Sequence, residues 1–450
     1  STMVTDLWVY MLSVAFEMAA WLIVIRIAAK RPMIGYVFLF LYVFSFFATY
    51  TFYAYFKALP GINTFSYMFL VPEDFFGIAG DSINLWYILI AIGFFTGLRF
   101  AAKKMISTEA KPSNRVVIAA VVLCILSGAV LNRAIAHKDN RALPFTNSIF
   151  SIVNGYLDFR GGEQASYNLM HRMIRLRKPD ATVQPEFNIV LLINESLNAS
   201  YFREYGCRLD TTPRLSSFIE RNRDDIFLFP RAFSNSTVTK VAVSNLLAGN
   251  NPIEGNQALG KSPLLYEVLR NNLSPYRTAL ITSWSYTPAN FIDFVSSPYL
   301  DFSRFQEHTG AEKVCNVCAD DSLITPQFEE FLDTLGGGER FGAILHYGNT
   351  HYPYYSKPGD HVFQTTDRFL GDYLAALRNL DRNVSSVLTL LESRGLLENT
   401  VVLFTSDHAE AFGEVDRRWG HLGMFTTYTT HVPFWMYIPK KKLANHSEIR

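Results

Sequence analysis

Val401-Val402-Leu403-Phe404-Thr405-Ser406-Asp407-His408 is a β-branched and apolar run that stops at an acid and a histidine. A buried strand with this ending delivers a hard oxygen and an imidazole nitrogen to one point at a sheet edge, a donor pair suited to a divalent cation. Alone, an Asp-His pair after a strand is often only a turn and a cap. A second stretch has the same design: in Phe187-Asn188-Ile189-Val190-Leu191-Leu192-Ile193-Asn194-Glu195-Ser196 the apolar run halts at Glu195. Two such strands, far apart in sequence, predict one site at the carboxyl edge of a parallel sheet, where α/β proteins keep their ligands.

The chain around these strands alternates between strand and helix from about residue 185. Strands are predicted at Ile189–Ile193, Thr278–Thr282, Phe341–His346, Val401–Thr405 and Val432–Ile438. Helices are predicted at Pro213–Arg221, Pro263–Asn272, Leu323–Leu335 and Asp367–Arg394, the last in one piece or two. This alternation predicts a mostly parallel sheet covered on both faces. No glycine-rich phosphate loop, internal repeat or low-complexity tract is present.

The N-terminal third is different material. Leu7–Ile25, Ile34–Phe56, Leu85–Leu98 and Val116–Leu131 are apolar spans without a polar face. Each approaches the roughly 17–25 residues that cross a bilayer. We therefore expect a multi-span α-helical membrane domain over residues 1–135, a connector with amphipathic helices over 136–184, and an extracytoplasmic α/β domain over 185–450. Arg26, Lys30 and Arg31 lie between the first two spans, and Arg99, Lys103, Lys104, Lys111 and Arg115 between the last two. The positive-inside tendency places both clusters in the cytoplasm and everything after Arg133 outside. This orientation also puts the N-terminus outside, and a missing earlier span would explain it. Glu17 within the first span is expected to face other helices or the head groups.

Of the four cysteines, Cys124 falls in a span and Cys207 in a polar loop, while Cys315 and Cys318 are close neighbours in the extracytoplasmic domain. A zinc knuckle would need a second Cys or His pair at matching spacing, so a local disulfide is the better reading. A formal net charge of +1 gives no reason to expect a nucleic-acid partner.

The nucleophile that a metal would serve is sought in the hydroxyl-rich loop Ser234-Asn235-Ser236-Thr237-Val238-Thr239-Lys240, which runs into an apolar helix-like stretch ending at Leu246-Leu247-Ala248-Gly249. A hydroxyl at a helix N-terminus sits where the dipole favours an anion such as phosphate. Coordination to a divalent cation would lower its pKa and let it attack phosphorus. The competing reading is a hydroxyl that only caps the helix.

Taken in order, these segments resemble the alkaline phosphatase superfamily, and within it the membrane-anchored phosphoethanolamine transferases that modify lipid A and related glycans. Leu192–Ser196 is similar to the family's strand followed by its first metal-binding carboxylate, and Tyr205–Pro213 to the Tyr-Gly-Tyr-x-Arg-Asp-Thr-Thr-Pro stretch after it. Ser406-Asp407-His408 with Glu410 and Gly413-Glu414 resembles the Ser-Asp-His-Gly-Glu…Gly-Glu block. His346–His351 with Tyr354-Tyr355 resembles the His-x-x-Gly-Ser-His…Tyr-Tyr segment, and Trp419-Gly420-His421 the downstream histidine. Cys315–Asp321 resembles the family's Cys-x-x-x-Cys-acidic stretch.

The resemblance implies a sulfatase-like fold and transfer of phosphoethanolamine from a phospholipid, phosphatidylethanolamine, to a glycolipid or glycan acceptor through a phospho-threonine. Counting back ten from Gly249, as in sulfatase relatives, reaches Thr239, and so does the second threonine of the transferases' Thr-x-Thr; Thr237 is the reserve. The implied metal ligands are Glu195, Thr239, Asp407 and His408, with Zn2+ the expected ion and Mn2+ the alternative. His351 and His421 are implied for phosphate contacts or proton transfer, and Lys240 and Asn235 for substrate binding. A monomer in the bacterial inner membrane, with its catalytic domain facing the periplasm or cell exterior, is expected. The chain departs from the family in lacking the cysteines that bracket the nucleophile and in carrying Lys240 after Thr239 and Ala409 after His408. Lipoteichoic-acid-synthase-like phosphoglycerol transfer is the runner-up, and a lipid- or partner-binding pseudoenzyme the alternative of another class. A sulfatase would need a Cys or Ser converted to formylglycine, an aldehyde that Thr239 cannot supply.

Overall fold

The computed structural model describes Tyr156 and residues 187–440, apart from 255–257, 272–275, 287–290, 316, 415–418 and 422–423. The chain divides into two units, residues 1–163 and 164–450. The expected membrane spans lie outside the described residues, as does the connector apart from Tyr156. Among the described residues no helix is long and apolar enough to cross a membrane.

The second unit is an α/β domain built on one seven-stranded, mostly parallel sheet. In chain order its strands are β1 (Asn188–Asn194), β2 (Ile226–Leu228), β3 (Arg277–Thr282), β4 (Phe302–Arg304), β5 (Phe341–Tyr347), β6 (Thr400–Ser406) and β7 (Trp435–Tyr437). They are arranged β2-β7-β6-β1-β5-β3-β4. From β6 to β4 every pairing is parallel. Only β7 runs against its neighbours β6 and β2. The central strands are buried almost end to end, as expected for a parallel sheet with both faces covered.

Five helices carry most of that cover: α1 (Pro213–Arg221), α2 (Thr239–Ala248), α3 (Leu265–Arg270), α4 (Ile324–Asp333) and α5 (Arg368–Ser393). One face packs Val190 and Leu192 against Leu215 and Phe218 of α1, Phe328 and Phe331 of α4, and Leu377, Leu380 and Val384 of α5. The other packs Leu191, Ile193 and Ile344 against Val243 and Leu247 of α2 and Tyr266 of α3. The segment between Asp367 and Arg394 is one helix of 26 residues, not two. Its buried positions recur at helical spacing from Tyr373 to Leu391, and the Asp367 carboxylate caps it by accepting the Leu370 N–H at 3.1 Å. The strand expected at Val432–Ile438 is interrupted. His431–Val432 pairs with Ala232–Phe233, and β7 starts only at Trp435. Pro433 lies between, and a residue without an N–H cannot continue the ladder.

Cys315 and Cys318 form a disulfide, and Cys207 is free and half-buried. The bonded segment lies against the end of β5. A Cβ on Gly348 would stand 2.9 Å from Cys318 Cβ and 3.1 Å from Ser283 Oγ. Neither neighbour is the free end of a long side chain, so Gly348→Ala should cost about 1–3 kcal/mol of stability. Denaturant unfolding checks this, and an unchanged midpoint would refute the close-packing argument.

Candidate active site

The parallel register brings three chain segments to one level. Asn194 at the end of β1 pairs with Ser406 of β6 on one side and Tyr347 of β5 on the other. Glu195, Asp407 and Gly348 follow, so all three segments leave the sheet together. Polar bonds lock that level. Ser406 Oγ donates to the Asn194 carbonyl at 2.7 Å and accepts the Leu197 N–H at 2.8 Å, and Asn194 Nδ2 donates to the Thr405 carbonyl at 2.7 Å. Thr350 Oγ1 donates to the Glu195 carbonyl at 2.6 Å from the third segment. Ser196 adopts φ +57°, a left-handed conformation that L residues rarely take without support. There its N–H reaches Asp407 Oδ1 at 3.0 Å and its hydroxyl reaches Glu195 Oε1 at 2.9 Å.

Glu195, Asp407 and His408 are fully buried at this edge, each offering a ligand atom within 4.8 Å of the others. His408 Nε2 lies 3.3 Å from Glu195 Oε1 and 3.3 Å from Asp407 Oδ2. Asp407 Oδ1 accepts two backbone N–H groups, whereas Oδ2 accepts no hydrogen bond. Burial, then the Asp407 charge, pushes the Glu195 carboxyl well above the usual carboxylate range. Burial also holds His408 well below the ordinary imidazole value, so the ring is neutral. Its Nδ1 lies 3.3 Å from the Ala409 carbonyl, a contact that places the proton there and leaves the Nε2 lone pair facing the carboxylates. The cluster is thus rich in acceptors, and with no cation present the crowding favours the protonated form of Glu195. Two carboxylates and a neutral imidazole are donors that could hold a divalent cation, and Asp407 Oδ2, buried without a hydrogen-bond partner, is open to one.

Thr239 completes the cluster. It is the first residue of α2, whose N-cap position is held by Val238 without a side-chain cap bond. The Thr239 hydroxyl points instead into the site, with Oγ1 3.3 Å from each Glu195 oxygen and 3.2 Å from His408 Nε2. Capping therefore does not account for this threonine.

A second set borders the first. The His421 ring lies 4.1 Å from the His408 ring, and its Nδ1 sits 2.8 Å from Glu410 Oε2. Tyr354 donates to the other Glu410 oxygen at 3.1 Å. Burial opposes charge on both partners, but their mutual attraction wins: Glu410 is held below, and His421 above, its ordinary value. His351 stands edge-on to Trp284 at 4.8 Å and is close enough to affect His408 and Glu410 electrostatically. Lys240 is half-buried, and loss of hydration lowers its ammonium to about 8. Asn235 is exposed, with no hydrogen bond drawn to the cluster. Glu410 was not singled out for a role, although its spacing after Asp407-His408 was a readable signal. His346, fully buried at the level of Ile193, was also passed over. It bonds to Tyr286 through Nδ1 at 2.7 Å, and its Nε2 has no hydrogen-bond partner.

Comparison with known proteins follows from this geometry. The profile of the sulfatase family matches residues 187–450. The chain belongs to the sulfatase family. It is 24% identical over 284 residues to N-acetylgalactosamine-6-sulfatase of Rattus norvegicus, covering 53% of each chain, and so spans about half the length of that curated relative. The fold is similar to that of the integral membrane protein lipooligosaccharide phosphoethanolamine transferase A (EptA) from Neisseria meningitidis. That match has a TM-score of 0.61 at 16% identity over 93% of this chain and 80% of the other. It is similar also to the C-terminal periplasmic domain of EcEptC from Escherichia coli in complex with Zn, with a TM-score of 0.51 at 19% identity over 60% and 77%.

Two expectations follow for this sulfatase-family domain. Asp407→Ala and His408→Ala should each lose bound divalent metal while the protein stays folded; elemental analysis showing full occupancy in both would remove the metal assignment. The other concerns Asp321, which supports the loop after β5. It accepts hydrogen bonds from Ser283 Oγ and the Gly348 N–H at 2.5 and 2.8 Å, and from the Asn349 N–H at 3.1 Å. Burial raises it to about 7. The folded state then holds a proton that the unfolded chain, near pKa 3.9, has released, so this group's contribution falls as pH rises from about 4 to 7. Asp321→Asn should flatten that slope in a pH series of unfolding curves. An unaltered slope would show that Asp321 is not its source.

Proposed function

We propose that this protein transfers a phosphoethanolamine head group from a phospholipid, phosphatidylethanolamine, to a cell-envelope glycan or glycolipid through a phospho-threonine on Thr239. The observation that carries this reading is the Thr239 hydroxyl itself, freed from capping and held against Glu195 and His408. Glu195, Thr239, Asp407 and His408 would hold the metal, and a bound divalent cation would lower the hydroxyl's pKa and offset phosphate charge. The two-carboxylate, one-imidazole set suits zinc or manganese, and the zinc complex of EcEptC favours zinc.

The chain's own groups then act in two displacements. Thr239 Oγ1 attacks phosphorus, its proton having acceptors at 3.3 Å in the two Glu195 carboxylate oxygens. The bond to the diacylglycerol oxygen breaks, and that oxygen takes a proton as it leaves. His421, kept cationic by Glu410, is suited to donate it and to contact the phosphate. The α2 N-terminus favours the anionic phosphoryl group beside it. An acceptor hydroxyl or phosphate oxygen then attacks the phospho-threonine and releases Thr239. Lys240 and His351 are assigned to phosphate contacts, and Asn235 to the outer part of the substrate. We place the enzyme in the bacterial inner membrane, anchored by residues 1–135, with this domain facing the periplasm. Phosphoglycerol from phosphatidylglycerol fits the same chemistry, and the mass of the adduct separates the two donors.

Thr239→Ala should abolish head-group release, a loss of orders of magnitude. Thr239→Ser should retain part of it, and Thr237→Ala should be milder. A residue with only a structural duty at the helix start would cost about 1 kcal/mol and spare turnover. Mass spectrometry of protein incubated with phosphatidylethanolamine or phosphatidylglycerol should find the adduct on Thr239. Near-normal turnover by Thr239→Ala would refute the mechanism.

A further inference from the structure

The large apolar side chains exposed on this domain are not scattered. Among the described residues of 187–440, apart from Leu209, Val268 and Val362, and from Leu246 and Ile253 toward and beyond the far end of α2, those side chains fall in two segments, 228–241 and 425–428. Both segments wall the candidate active site. Val238 and Val241 flank the start of α2, on either side of Thr239. Phe229 and Phe233 precede Ser234, whose hydroxyl donates to the Asp407 carbonyl and whose N–H donates to the Thr430 carbonyl at 2.7 Å. Phe425 and Tyr428 belong to the strip that holds the metal-ligand loop from outside. In that strip Thr429 accepts the Ala409 N–H at 3.0 Å, and Tyr428 accepts Asn198 Nδ2 at 3.2 Å. Phe425 is 72% and Phe233 55% exposed. Single exposed apolar residues need no explanation, but a collar of them around a charged, buried centre does.

We propose that this collar seats on the surface of a phospholipid bilayer, so that lipid head groups are presented directly to Thr239. The inference rests on the reading of the donor as a phospholipid and adds the surface by which the domain meets it. Whatever covers the collar must leave the nucleophile open to substrate, and a lipid surface is cover and substrate source at once. Arg231 between Phe229 and Phe233, and Lys240 between Val238 and Val241, add positive charge suited to anionic head groups. The apolar spans read in residues 1–135 would keep such a surface within reach. Val268 provides the contrast. It is half exposed on α3, beside Leu269, which packs on Gly342 at the opposite end of the sheet.

The test uses the full chain in nanodiscs of phosphatidylethanolamine and phosphatidylglycerol, with Cys124→Ser and Cys207→Ser leaving no cysteine outside the Cys315–Cys318 disulfide. Spin labels on Phe233→Cys and Phe425→Cys should be more accessible to oxygen, which partitions into lipid, than to a water-soluble nickel chelate. A label on Val268→Cys should show the reverse. Collar labels as open to the chelate as Val268→Cys would overturn the proposal. So would collar labels shielded from both reagents, since protein, and not lipid, would then cover the face. In kinetics, Phe233→Asp with Phe425→Asp should raise KM for the nanodisc donor about tenfold, the loss of roughly two partly inserted aromatic contacts. Turnover of a short-chain, monomerically dissolved donor should be unchanged, and an equal loss on both donors would count against docking. If no phospholipid serves as donor while the collar labels still report lipid, the donor reading falls and the docking surface stands.

Discussion

An excess of buried acceptors over protons is the constraint around which this domain is arranged. Glu195 and Asp407 place their carboxylates beside the Nε2 lone pair of a neutral His408, and the Thr239 hydroxyl brings a single proton to them. Isolated buried anions are costly, and two side by side are worse. Among the described residues no lysine or arginine ion pair to Glu195 or Asp407 relieves the conflict, and burial raises Glu195 in response. A site kept this unbalanced suits a cation and, beside it, an anion that the cation recruits. The Glu410–His421 pair next to it is balanced, each partner stabilising the other's charge. One set leaves its charge open to a cation; the other largely balances its own.

Holding such a set together requires a rigid base, and the sheet supplies it. Adjacent strands in register fix the separation of Glu195, Asp407 and the Gly348–Thr350 turn before any side chain is chosen. Polar residues at the last strand positions then tie the departing loops to one another: Ser406 bonds to the segment after β1, and Thr350 to Glu195 itself. A further layer ties the β5 loop to Asp321, Ser283 and the disulfide segment, whose Cys318 lies against Gly348. This layered support holds the first ring of residues to the fine positional tolerance that catalysis demands.

Much of this was legible in the chain, for reasons that can be named. β1, β5 and β6 are buried on both faces and read as unbroken apolar runs, and the polar residue that ends each run is where the sheet stops. Glu195 and Asp407-His408 were therefore visible as strand ends. Thr239 was reached only through the resemblance, by a count back from Gly249 and by the Thr-x-Thr motif, since a hydroxyl before a helix more often caps it. The edge strands β2 and β4 were missed because three residues carry no periodicity. The break at Pro433 was overlooked although proline announced it. The Glu410–His421 bond joins residues eleven apart across a turn, and the His346–Tyr286 bond joins neighbouring strand ends. Neither pairing is encoded in the spacing of one segment.

The family's chemistry also explains what differs here. A sulfatase built on this fold uses a nucleophile made by oxidising a cysteine or serine, and threonine cannot give that aldehyde. In the function proposed above, a threonine in place of that nucleophile, beside the Glu-Asp-His cluster, would direct the same electrostatic frame to an ester intermediate on an ordinary hydroxyl. Such a hydroxyl needs its proton taken and its oxygen aimed. Both follow from one local choice: Val238, which has no capping group, occupies the N-cap, so the Thr239 hydroxyl is free to turn into the cluster. A hydroxyl or amide side chain at position 238 would offer α2 a cap, and its polar atom would compete for the same space and the same protons. The apolar residue leaves the helix end less stable by roughly 1 kcal/mol. It also continues the apolar collar up to the edge of the nucleophile. In the proposed function, the change in chemistry and the turn toward lipid substrates would meet at that one side chain.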